Sequence, residues 1–190
     1  MRIVVLAPYD QQWPVQYQAE RARLETVLKS VMVSSHHIGS TSVPGLVAKP
    51  VIDILLEVTD LSELDKCNRA MAASGFDARG ENGIAGRRYF TKGGDRRSHQ
   101  VHAFEVGDEQ IVKHLAFRDY LIENPQVAEA YAELKQNAAK VCRNDIKRYQ
   151  QMKNDFISHY LKLAMEEPEA RQKATKANGG SKAQIPRTDT

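Results

Sequence analysis

The run His37-Ile-Gly-Ser-Thr-Ser-Val-Pro-Gly-Leu-Val-Ala-Lys-Pro-Val-Ile-Asp53 places a small, hydroxyl-rich turn ahead of a lone acid, and those residue types suit a bound phosphate. Gly39 lets the backbone approach a ligand, Ser40, Thr41 and Ser42 offer hydroxyls and amide donors, and Lys49 adds positive charge. Asp53 supplies a carboxylate of the kind that holds a divalent cation. In the extended run 51–58, Ile52, Ile54, Leu56 and Val58 form one wholly apolar face, so strand alternation sends Asp53 to the other face with Val51, Leu55 and Glu57. His37 and His102 are candidates to join Asp53 in a mixed metal site, a donor set that suits manganese or zinc better than magnesium. His99 is out of phase with His102 and faces the other way. Asn82, Arg87 and Arg88 are candidate anion contacts, since a guanidinium grips phosphate through two parallel N–H donors. Adjacent strand residues point oppositely, so one of the two arginines is expected to face away. His114 and Arg118 lie four apart on a helical pattern and share a face that can close the site.

The elements that must position these groups can be read from periodicity. A short strand is expected over 3–7, then a helix carrying Trp13, Tyr17, Leu24 and Leu28 with Pro14 in its first turn. Residues 31–40 read as a strand running into the Gly39-Ser40 turn, and Pro44-Gly45 interrupts regular structure before the next strand. Thr59 or Asp60 can cap a helix carrying Leu61, Leu64, Cys67 and Met71 that Gly75 closes, with Phe76 opening new extended chain. Runs 87–91 and 98–106 flank Lys92-Gly-Gly-Asp95 and read as a hairpin. Helices follow: one with Ile111, Leu115 and Ile122 up to Asn124-Pro125, one with Val127, Tyr131, Leu134 and Val141, and one with Ile146, Tyr149, Lys153, Phe156, Tyr160 and Leu163. The fold class is therefore α/β (α+β), a mixed sheet of about five strands flanked by helices with further helices at the C-terminal end.

Composition narrows the classes. The 190 residues suit one well-cored domain, expected over 1–165, and apolar periodicity fades from about Glu166, so 166–190 read as a disordered tail. A net charge of +3 with interleaved signs is mild for a nucleic-acid binder, which favours a small phosphate-containing partner over nucleic acid. Cys67 and Cys142 lack the spacing of a disulfide frame or a zinc site. The apolar stretch near the start is too short for a signal segment, no stretch reaches transmembrane length, and the cytoplasm is the default compartment. No Gly-x-Ser-x-Gly elbow and no Gly-x-x-x-x-Gly-Lys-Ser/Thr loop occurs, which argues against a serine hydrolase and a P-loop kinase.

Gly39-Ser40, twelve intervening residues and Asp53 on an apolar strand resemble the signature of the nucleotidyltransferase superfamily. The chain more closely resembles the GrpB family, through His37–Leu46 with Lys49-Pro50 and Asp53, through Glu81-Asn-Gly-Ile-Ala-Gly-Arg-Arg-Tyr-Phe90, and through His114-Leu-Ala-Phe-Arg-Asp-Tyr-Leu121. Trp13-Pro14, Tyr149, Lys153 and Phe156 extend the resemblance to almost the whole chain apart from the tail. It implies a nucleotidyltransferase-like fold that binds a nucleoside triphosphate or phosphometabolite with a divalent metal and transfers a nucleotidyl group to a small acceptor, with Asp53 as catalytic metal ligand. That superfamily presents two acids separated by one residue on this strand. Here the second position is Leu55, and Glu57 lies roughly 13 Å along the strand from Asp53. The alternatives are a catalytically silent phosphate-binding module and a His/Asp metal-dependent phosphohydrolase.

Overall fold

The computed structural model describes residues 5–143 and 145–178. Helix α1 (Gln12–Leu28) buries Trp13, Tyr17, Glu20, Leu24 and Leu28, one stripe at helical spacing that includes an acid. Strand β1 (Met32–Ile38) leads through a tight turn at Ser40–Ser42 to β2 (Ile52–Val58). Asp60 caps α2 (Leu61–Lys66) by accepting from the Ser62 and Glu63 amides. The single helix expected here breaks at Cys67 into α2 and α3 (Asn68–Ala73). Strands β3 (Phe76–Ala78), β4 (Arg88–Lys92) and β5 (His99–Glu105) follow, then α4 (Glu109–Glu123), α5 (Pro125–Val141) and α6 (Ile146–Asn178).

The five strands form one mixed sheet in the order β1-β2-β5-β4-β3. Only the central pair, β2 with β5, is parallel. Of the strand expected over 3–7, residues 3 and 4 lie outside the described residues, and Ala7 makes an isolated bridge to Ala48. Helix α6 runs to Asn178, so the described part of the expected tail is helical, and residues 179–190 lie outside the described residues. Among the described residues no helix is long and apolar enough to cross a membrane.

The two sheet faces have different covers. Ile52, Ile54, Leu56, Val58, Phe90 and Val101 pack beneath α1, α2 and α3 in the main core, with Leu24, Leu28, Leu64 and Met71. On the opposite face Leu55, Ile38, Phe104 and Ile111 form a small cluster that seats α4. Burying a leucine side chain fully contributes about 1.5–3 kcal/mol, so Leu55, with no exposed surface, anchors the helical layer. Val43, Leu46, Leu121, Val127 and Tyr131 then join α4 and α5 to α6, where Tyr131 stacks on Phe156 at 4.9 Å. Leu121 is buried where the periodicity favoured Ile122, which is 44% exposed. Beyond the Leu55 cluster this helical layer leaves the sheet uncovered, and a cleft opens there.

Candidate functional site

Asp53 stands on the floor of that cleft because β2 carries it to the face opposite the main core. The register pairs Asp53 with Ile38 on β1 and with Gln100 on β5, and it pairs Leu55 with His102, so Asp53, Gln100 and His102 share a face. Gly39 turns the chain above the carboxylate at φ +70°, and a Cβ on it would lie 2.5 Å from Asp53 Oδ2. Glycine is required at this position twice over, by backbone angle and by closeness to the acid. The turn it opens is braced from inside. Ser42 Oγ donates to the Gly39 carbonyl at 2.6 Å, and the buried Thr41 hydroxyl meets His37 Nε2 at 2.9 Å. Ser40 faces the Tyr131 hydroxyl, bringing the turn close to α5.

Arg87 is 5% exposed and lies over the Tyr89 ring at 4.8 Å. Its guanidinium donates to the carbonyls of Glu81 at 3.1 Å and Asn82 at 2.7 Å, and its third contact is His102 Nδ1 at 3.3 Å. A guanidinium can only donate, so Nδ1 accepts and the His102 ring proton sits on Nε2, which faces Asp53 Oδ1 at 3.9 Å. His102 therefore presents an N–H to the carboxylate side of the cleft. His114 on α4 lies 5.4 Å from the His102 ring, and burial, with His102 and Arg87 nearby, holds its pKa down at about 4. Arg118, one turn along α4, donates to the His37 carbonyl at 3.1 Å and to Asp119 at 2.7 Å.

The helical wall is built on two tyrosine rings. Lys49 and Lys153 lie 5.0 and 4.6 Å from the Tyr149 ring centre, and Lys135 lies 4.6 Å from that of Tyr131. Lys135 is 2% exposed and donates to the Val47 carbonyl. Burial, reinforced by Lys153, lowers its pKa to about 7; burial, reinforced by Lys49, lowers that of Lys153 to about 8. Burial likewise pushes the Tyr149 phenol up to about 12. The cleft has a volume of about 850 Å³. Its lining brings six cationic side chains (Lys49, Arg87, Arg118, Lys135, Lys147 and Lys153) around Asp53, the one Asp or Glu there among the described residues.

Several sequence candidates thus come together: Asp53, Gly39, Ser40, Thr41, Lys49, Arg87, Arg118 and His102 all line the cleft. Others do not. His37 pairs with Ile54, which places it on the α1 face, where its ring stacks on Tyr17 at 5.0 Å and burial pushes its pKa down to about 4. Arg88 pairs with Ala103 on that same face and grips Asp65 of α2 through contacts of 2.8 and 2.9 Å. Asn82 sits on the exposed rim and serves Arg87 through its carbonyl. The Ser42 hydroxyl is spent on its own turn. With His37 on the other face and His102 directing an N–H toward Asp53, the mixed His/Asp centre expected from the sequence is not assembled. Among the described residues no group of three His, Cys, Asp or Glu is placed to hold a metal ion. Glu57 lies in a separate cluster, accepting from Ser34 at 2.7 Å and 2.7 Å from His36 Nε2.

Tyr131, Lys135, Tyr149 and Gln100 were not expected in the site. Their signal was present in part: Lys135 and Lys153 interrupt apolar helical stripes, where a cation is costly unless a partner or a ligand compensates it.

A mixed five-stranded sheet, a glycine-led turn seated on one strand carboxylate and a cationic helical wall define an α/β protein with a Lys- and Arg-lined cleft. The GrpB protein family model matches residues 3–163, and the chain belongs to that family. It is 43% identical over 156 residues to UPF0157 protein YqkA of Bacillus subtilis, covering 82% of this chain and 46% of that one, so the chain spans about half the length of that relative. The crystal structure of conserved protein GrpB from Enterococcus faecalis superposes with a TM-score of 0.82 at 38% identity, covering 86% of this chain and 98% of that one. A looser likeness, to Cid1 in complex with a UTP analogue, has a TM-score of 0.41 at 15% identity over 68% of this chain and 43% of that one.

Proposed function

We propose that the cleft binds a nucleoside triphosphate or similar phosphorylated metabolite, and that Asp53 serves a divalent cation carried in with the ligand. The carrying observation is the convergence of six Lys and Arg side chains on a cleft holding a single carboxylate. Gathering that many cations in a partly dry space is unfavourable without an anion, and a polyphosphate provides one. The donor set also indicates which cation fits. Magnesium is bound through one or two carboxylates with substrate phosphates completing its shell, so one aspartate suffices only when the ligand is present. Among the described residues no group of three His, Cys, Asp or Glu is placed for a resident transition metal.

In this reading the metal, once bound, supplies charge stabilisation at the phosphate. Ser40 and the amides of its turn hold phosphate oxygens, Arg87 and Arg118 stabilise developing negative charge, and the Tyr149 wall excludes water. Nucleotidyl transfer to a small acceptor hydroxyl is the reaction such an arrangement serves. Leu55 favours a second reading, a binding module without turnover: where the superfamily resemblance calls for a second acid, this residue is buried and seats α4.

Calorimetric titration with nucleoside triphosphates, with and without magnesium, tests the proposal. Wild type should bind more tightly with magnesium, whereas Asp53→Asn should lose that enhancement and bind the metal-free triphosphate somewhat more tightly, because a like charge has been removed. Triphosphate binding that ignores both magnesium and Asp53→Asn would overturn the assignment of Asp53. A labelled nucleotidyl product would then decide between transfer and simple binding.

A further inference from the structure

Past Gln100 the cleft floor continues onto β4, and a second cavity of about 290 Å³ opens there. Gln100 pairs with Asp53 on one side and with Thr91 on the other. The floor of this annex therefore begins one strand spacing, about 4.8 Å, from the backbone of Asp53. Lys49, Gln100 and Gln150 line both cavities, so the two communicate.

The annex lining carries Arg79 and Arg97 beside the shared Lys49, and among the described residues no Asp or Glu lines it. Arg79 donates through Nε to Thr91 Oγ1 at 3.3 Å and meets Asp77 at 3.3 Å on the exposed rim. Arg97 donates through Nη1 to the Tyr89 hydroxyl at 3.4 Å, while its Nε is buried with no hydrogen-bond partner among the described residues. A buried guanidinium N–H without an acceptor is costly and calls for one. The Tyr89 hydroxyl in turn donates to Gln100 Oε1, so the remaining hydrogen-bonding capacity of the Gln100 side chain includes its two amide N–H donors. The main cleft, at about 850 Å³, already matches the size of a site for a whole nucleotide-sized ligand. The annex is not needed for that ligand.

We propose that the annex binds a phosphate group belonging to a second substrate, separate from the molecule in the main cleft, through Arg97, Arg79 and the Gln100 amide. This rests on the nucleotide reading of the main cleft and gives the acceptor its chemical class, a phosphomonoester. Gln100 is then the contact between the two sites, with Asp53 beside it on the neighbouring strand.

Calorimetric titration of the full chain with inorganic phosphate, alone and with ATP and magnesium at saturation, tests the inference. One phosphate should bind per chain with ATP present, and Arg97→Gln should weaken it about tenfold or more, the usual loss for a charge-assisted hydrogen bond. Arg79→Gln, on the exposed rim, should act in the same direction and guards against a folding defect in Arg97→Gln. Both variants should keep ATP affinity within about twofold, as expected for separate sites. Displacement of phosphate by ATP would overturn the proposal by making the annex the far end of the main site. Phosphate affinity unchanged in both variants would overturn it as well, leaving nonspecific anion binding. If ATP fails to bind, the nucleotide reading falls, and the response of phosphate binding to Arg97→Gln still reports on the annex separately.

Discussion

Gly39→Ala probes the closest approach in the site. Two costs apply. The backbone at φ +70° and ψ −172° lies in a region open essentially to glycine alone, which costs an L-residue about 1–3 kcal/mol. The new methyl would also lie 2.5 Å from Asp53 Oδ2, and turning the carboxylate away from its rotamer costs about 1 kcal/mol more. Gly45, in the same connection at φ +77° with nothing within 4 Å of an added Cβ, separates the two. Gly45→Ala bears only the backbone cost. Urea denaturation should therefore find Gly39→Ala less stable than Gly45→Ala by at least about 1 kcal/mol, or about 2–4 °C or more in thermal midpoint for a chain of this size. Adding Asp53→Ala should recover part of that difference in the Gly39→Ala background, because the 2.5 Å contact with Oδ2 is removed and a 3.1 Å contact with Cβ remains. Titration with ATP should show the magnesium-dependent part of binding lost in Gly39→Ala and kept in Gly45→Ala. Equal destabilisation by the two glycine substitutions, or no recovery on removing the Asp53 carboxylate, would refute the claim that Gly39 is set by contact with that group.

Three further outcomes are expected. The pKa of Lys135 is about 7 when folded against 10.5 for the ordinary group, so the unfolded chain holds the extra proton between those values and stability should rise with pH across that window. Lys135→Met should be stabilising at pH 6, with the gain shrinking towards pH 9.5 in urea titrations; a gain independent of pH would show that Lys135 is not held there against its charge. Arg88→Ala should lower stability by about 1–3 kcal/mol through its paired contacts with Asp65 and leave ATP affinity intact. Arg87→Ala should weaken ATP binding, and the reverse assignment in a binding assay would show that the two faces of β4 had been exchanged.

The sheet was legible because its signals are local. Alternation in 51–58 placed Asp53 opposite the main core, and Gly93-Gly94 marked the β4–β5 hairpin. The same alternation, carried back along β1, places His37 out of phase with Ile38, the residue that pairs with Asp53; proximity to the motif in sequence had made it a ligand candidate. For Arg87 and Arg88 the sequence showed that one must face away, and the register settled which. The helical wall was the least legible part. Which side of α5 meets the cleft depends on how Tyr131 stacks on Phe156 and meets Ser40, contacts that join distant segments and leave no mark in spacing. Lys135 sits next to the apolar Leu134, so apolar spacing alone does not single it out.

The single parallel pairing in the sheet also bears on how the protein acquires its site. Asp53 and Gln100 are about 50 residues apart in sequence, and closing a loop of that length carries an entropic cost that the hairpins β1–β2 and β4–β5 largely avoid. Those hairpins can form early, and joining them along β2 and β5 is the non-local step that slows folding. The carboxylate meets Gln100 and His102 only in that step. A chain with both hairpins formed but the centre unjoined has most of its strands and no assembled cleft floor, so nascent or damaged molecules complete the cleft only as the barrier to folding is crossed.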